Sequence, residues 1–75
     1  MNNQRRKQIK EAMLKIETIT HLVQHILDDE QEAFENMPES LQCADNGAAS
    51  EEAQECLESA IEALEQAIAC LEEVC

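Results

Sequence analysis

The sequence predicts an all-α fold: one long antiparallel helical hairpin that assembles as a homo-oligomeric bundle, a dimeric four-helix bundle in its simplest form. Three observations predict it. The chain has one Gly, one Pro, one Phe and no Trp or Tyr, so strand formers are scarce. Its last 21 residues, 55–75, read as three heptads, ECLESAI, EALEQAI and ACLEEVC. With 75 residues it lies near the size at which a single core stops sufficing. A lone two-helix hairpin of this composition is marginal, and self-association covers the apolar stripes that it leaves open.

Residues 4–36 form the first expected helix, about 50 Å long at 1.5 Å per residue. Ile9, Ile16 and Val23 recur by sevens, with Ala12, Ile19, Ile26 and Ala33 between them. Met13, Leu27 and Phe34 widen the stripe on one flank and Leu22 on the other, while Leu14 falls outside it and suggests a second contact surface. Asn2 or Asn3 can cap the start. Pro38 stops the helix near Asn36, because the residue before proline is pushed out of the helical region, and it can itself open a short turn of helix through Leu41.

The connection is expected over 37–49, with Asp45-Asn46-Gly47 as its strongest turn signal. Ser50 is then the expected cap of the second helix, 50–75, with Glu51 and Glu52 suited to its positive end. In this helix Leu57, Leu64 and Leu71 fall seven apart, and Ala60, Ala67 and Val74 follow each by three. Ile61, Ile68 and Cys75 broaden the seam on one side, and Cys56, Ala63 and Cys70 on the other. Alanine at alternate core positions lets a facing helix approach closely. The whole chain, 1–75, is one domain.

Charge narrows the function. The formal net charge is −12, and all five basic residues (Arg5, Arg6, Lys7, Lys10, Lys15) lie in the first fifteen positions. Duplex nucleic acid is an unsuitable partner for so acidic a surface. No apolar run reaches the length of a membrane span and no charged-then-apolar leader precedes a cleavage site, so the expected location is cytoplasmic, with no membrane partner. Four cysteines (43, 56, 70, 75) show no CxxC spacing, and three sit at or beside apolar helix positions. They read as small hydrophobes, with neither metal nor cofactor implied.

Several residues break local rules. Arg5, Arg6 and Lys7 occupy the positive end of the helix macrodipole, where acids are preferred. An antiparallel hairpin can answer this with Glu65, Glu72 and Glu73 of the second helix. Alternatively, helix amides and two guanidinium forks make an anion clamp suited to phosphate. Glu30 lands where an apolar residue belongs, at a solvated helix end or facing a pocket. Phe34, the only aromatic, stands beside the amides of Gln31, Asn36 and Gln42. Glu17, His21, His25 and Asp28 step along one face and could hold a divalent metal, but the heptad register turns them away from the core, as a solvated polar stripe.

The segments NQRRK (3–7) and EQEAFENMPESLQ (30–42), followed by an acidic heptad helix, resemble a family of small acidic helical proteins encoded by phages and prophages, a family without an assigned activity. The likeness covers the whole chain and is most specific at NMPESLQ. The four cysteines and the CADNGAAS segment depart from it. The resemblance implies a phage protein acting in the host cytoplasm. Phages also use compact homo-oligomeric proteins as sponges for nucleotide second messengers of host defence, and that analogy suggests the same role here.

Three classes follow. Catalysis is not expected, since no Ser/His/Asp or Cys/His constellation and no Gly-rich phosphate loop is present. An acidic rod can imitate nucleic acid and block a basic cleft of a host protein, or serve as a purely structural accessory. The preferred expectation is a non-catalytic sponge. In it Arg5 and Arg6 hold phosphates, Phe34 stacks on a base, and Glu30, Gln31 or Asn36 read its edge or a ribose hydroxyl. Arg5 and Phe34 lie about 43 Å apart along one helix, so this site must be composite, completed by a second chain.

Overall fold

The computed structural model describes residues 1–74, and over that range the chain is helical with no strand. Helix α1 spans Asn3–Glu35, α2 spans Glu39–Gln42 and α3 spans Asp45–Val74. Asn2 provides the N-cap of α1, its side-chain Oδ1 accepting from the Arg5 amide at 2.8 Å. The helix ends as proline chemistry requires. Asn36 closes it, its backbone N–H donating to the Glu32 carbonyl at 3.0 Å, and Pro38 precedes the single turn of α2.

The second long helix starts at Asp45, earlier than the Ser50 that its sequence suggests. Asp45, Asn46 and Gly47 do not form a turn; they are the first residues of α3, and Gly47 keeps a negative φ. Asp45 suits the positive helix end. Glycine is required at 47 by proximity and not by backbone twist. A Cβ there would fall onto the carbonyl oxygen of Gln42, so only a bare Cα lets the α2 backbone lie against α3. Ser50 is therefore no cap but a buried residue in the second turn, 4% exposed. The expected end of the helix at Cys75 lies outside the described residues.

α1 and α3 pack antiparallel into a rod of 58 × 15 × 12 Å with a radius of gyration of 17.1 Å. A compact domain of this length would have a radius of about 11 Å. Two helices cannot enclose a core. Among the described residues Leu27 and Ile61 are the buried hydrophobics, whereas Ile9, Ile16, Val23, Phe34, Leu57, Leu64, Ile68 and Leu71 stay half-buried along the seam. α3 covers only part of the α1 stripe. Ile19, Leu22 and Ile26 remain 48%, 59% and 46% exposed, as does Leu14 at 64%. Ala33 is exposed as well. No helix among the described residues is long and apolar enough to cross a membrane.

Candidate functional site

The sequence-selected residues divide between the two ends of the rod. At the open end, Arg5, Arg6 and Lys7 are exposed on the first turn of α1, which contains no acidic residue. The Asn2 carbonyl accepts from the Arg6 amide at 3.2 Å, so the cap holds this turn by two bonds. Among the described residues no ion pair joins Arg5 or Lys7 to Glu65, Glu72 or Glu73. Cross-helix pairing thus does not account for Arg5 and Lys7 at a positive helix end.

At the closed end, Gln31 and Phe34 are half-buried and Asn36 is exposed at the C-terminus of α1. Gln42 acts structurally. Its side-chain amide donates to the carbonyls of Phe34 at 3.0 Å and Met37 at 3.1 Å. The Phe34 carbonyl also accepts from the Met37 amide at 3.1 Å, so Gln42 gives it a second bond at the helix end. One glutamine thereby ties the end of α1 to α2, and Gly47 lets α2 lie on α3.

Glu30 is neither frayed nor facing a pocket. Its Oε1 accepts from the Ser50 hydroxyl at 2.8 Å, across the seam, and Ser50 Oγ in turn accepts from the Gln54 amide at 3.4 Å. A hydrogen bond to a carboxylate is worth about 1.5–3 kcal/mol, roughly twice a neutral one. This polar trio breaks both apolar stripes at one matched level, so it fixes which residues of α1 and α3 face each other. Local signals conceal Ser50 and Gly47 as interior residues, because Ser and Asp-Asn-Gly ordinarily mark caps and turns. Glu30 in an apolar register is the available clue: a carboxylate at such a position needs a donor across the seam.

The polar stripe of α1 is solvated. His25 Nε2 lies 3.9 Å from Asp29 Oδ2, with both side chains about two-thirds or more exposed, and Asp28 accepts from the Gln24 amide at 3.0 Å. No group of three His, Cys, Asp or Glu side chains among the described residues is placed to hold a metal ion. Cys43, Cys56 and Cys70 are free thiols and exposed, contrary to the expectation that they pack as small hydrophobes. Cys56 and Cys70 sit on the flank of the α3 seam, which α1 does not reach. Cys75 lies outside the described residues.

A single hairpin thus brings together Gln31, Phe34, Asn36 and the engaged Glu30, but not Arg5 or Arg6. Twenty-nine residues of helix separate Arg5 from Phe34, about 43 Å. No ligand-sized cavity forms among the described residues. No protein-family model matches the chain, and no match to it was found among curated proteins or solved structures.

Proposed function

We propose that this chain is a non-catalytic binding protein that works as an assembly of hairpins and sequesters a phosphorylated nucleotide between subunits. Arg5 and Arg6 of one chain would take the phosphates, and Phe34 of another would stack on the base, with Gln31 and Asn36 supplying amides. Glu30, already bonded to Ser50, contributes at most its second oxygen. The observation that carries the reading is the first turn of α1: exposed, cationic, capped by Asn2, and free of acids at the end of the dipole that prefers them. A role against a host nucleotide signal rests on analogy with phage sponge proteins.

The closed end favours a second reading. Residues 28–52 carry nine carboxylates and no basic side chain, a suitable surface for a basic cleft on a host protein. Calorimetry against cyclic and ADP-ribose-type nucleotides separates the two. Under the first, one nucleotide binds, and Arg5→Ala with Arg6→Ala lowers its affinity by about 1.5–3 kcal/mol per contact without loss of stability. Phe34→Leu weakens binding while keeping the helix. If no nucleotide binds more tightly than about 100 μM, the sponge is abandoned for the acidic inhibitor.

A further inference from the structure

The hairpin leaves one broad side without a partner. At 100° per residue, Ile19, Leu22 and Ile26 are turned roughly 100° from the Ile16–Leu27 line that meets α3. Cys56, Ala60 and Ala63 are turned by a similar angle, in the same sense, from the Leu57–Ile61 line that meets α1. Because the helices run antiparallel, equal senses of rotation place both sets on the same side of the rod. The Glu30–Ser50 bond puts 30 level with 50, so 19–26 runs beside 54–61. All six residues are exposed. They form one continuous apolar face, large on α1 and small on α3.

Area and charge identify what covers it. The surface of the hairpin is 5655 Å², whereas a compact monomer of 8.4 kDa exposes about 4600 Å². The excess of roughly 1000 Å² is what one partner contributes to a standard protein interface, about 800 Å². The charge is strongly polarised along the rod. The closed end, 28–52, holds nine carboxylates and no basic residue. The open end holds all five basic residues against Glu11, Glu65, Glu72 and Glu73. Two hairpins laid parallel would set nine carboxylates beside nine. Laid antiparallel, each α1 would run along its copy with the basic first half over the acidic second half, and the match would occur twice by symmetry.

We infer that the occupant of this face is a second copy of the chain, docked antiparallel about a two-fold axis that crosses the rod near Ile19 and Ala60. α1 spans Asn3–Glu35 and centres on Ile19, and α3 centres beside Ala60. Reflection through that level sets Arg5 at the level of Ala33 of the copy, one residue from Phe34, with both on the docked side of α1. Ala60 packs against its own copy, where a small side chain allows close approach. The inference takes from the nucleotide reading only that hairpins associate, and it stands or falls without any ligand. It also places the two separated halves of the candidate site at one level.

A charge on the face tests the docking, and cysteine cross-linking tests its orientation. Leu22 lies on the open face and not on the α1–α3 seam, so a charge there burdens the dimer and spares the hairpin. Leu22→Asp should keep the helix content while raising the dimer dissociation constant at least roughly tenfold by analytical ultracentrifugation. In a variant with the four cysteines replaced by serine, Ala60→Cys should form a disulfide-linked dimer, while Ala49→Cys, about 16 Å from the axis, should not. A monomer at 50 μM (roughly the scale of a weak complex), undiminished association of Leu22→Asp, or self-linking by Ala49→Cys would overturn the inference. Nucleotide binding enters none of these readouts, so its failure remains a separate result.

Discussion

Gly47→Ala should destabilise the protein, although alanine is the better helix former. In an exposed helix interior the exchange would gain about 1 kcal/mol. At this position the new methyl falls onto the Gln42 carbonyl oxygen, a backbone atom that cannot rotate away. Either α2 shifts or α3 frays. A shift of α2 carries Gln42 with it and breaks the bonds from its amide to the Phe34 and Met37 carbonyls. Two such bonds contribute about 1–3 kcal/mol together, and overpacking adds a further cost of about 1–3 kcal/mol. Adding the two costs and subtracting the propensity gain leaves a net loss of about 3 kcal/mol, or roughly 15 °C in midpoint for a chain of this size. Thermal melts by circular dichroism, at matched protein concentration, measure it. Asn46→Ala on the exposed side of the same turn should be neutral or mildly stabilising. Gly47→Asn discriminates further. Asparagine tolerates a left-handed turn but is bulkier than alanine, so it should be at least as harmful as alanine if proximity is the cause. A Gly47→Ala protein melting at or above the parent, or a Gly47→Asn protein clearly more stable than Gly47→Ala, would refute the reasoning.

Ser50→Ala should cost about 1.5–3 kcal/mol by leaving the half-buried Glu30 without its donor, while Glu30→Gln keeps an acceptor and should cost less. A double-mutant cycle in urea that gives no coupling would contradict the bond. Leu64→Asp places a carboxylate on the half-buried seam and should dissociate and largely unfold the protein; a helical oligomer that survives it would show that the heptad seam is not the core. Melts with reductant and chelator should coincide with melts without them. A fall of more than about 10 °C would mean that a disulfide or metal supports the fold.

The helices are legible in the sequence because their signals add over many residues. Leu57, Leu64 and Leu71 define one face however the chain is paired, and Pro38 with Asn2 bounds α1 by local sterics and capping alone. Local chemistry misleads at Asp45-Asn46-Gly47 and Ser50, whose usual roles in turns and caps are overridden by tertiary contact. Gly47 is needed for what lies beside it, and Ser50 for what lies across from it. The Glu30 that faces Ser50 is far away in sequence, and the Gln42 backbone meets Gly47 only because α2 folds back. The α1 stripe reads wider than the hairpin can bury for the same reason. Periodicity shows that Ile19, Leu22 and Ile26 are apolar on adjacent faces, but not how many helices share them. Of the candidate site, the distance between Arg5 and Phe34 follows from helix rise alone, whereas the engagement of Glu30 and Gln42 does not.

The buried residues are unevenly placed, and this bears on both the fold and the site. Leu27, Gly47 and Ser50 belong to the closed end, and Ile61 lies near mid-rod. No described residue nearer the open end is buried: Ile9, Ile16, Leu64, Ile68 and Leu71 all keep part of their surface in water. The closed end is held by a carboxylate bond, a close backbone approach and a glutamine that caps two carbonyls. The open end has a single α1–α3 seam. In a rod built this way, local opening is least costly where Arg5 and Arg6 sit. An antiparallel copy would lay the well-held closed half of one chain along the open half of the other, so association would order the cationic turn and supply Phe34 to it in one step. Binding and assembly would then be coupled: a ligand held between Arg5 and the partner's Phe34 would favour the dimer by mass action.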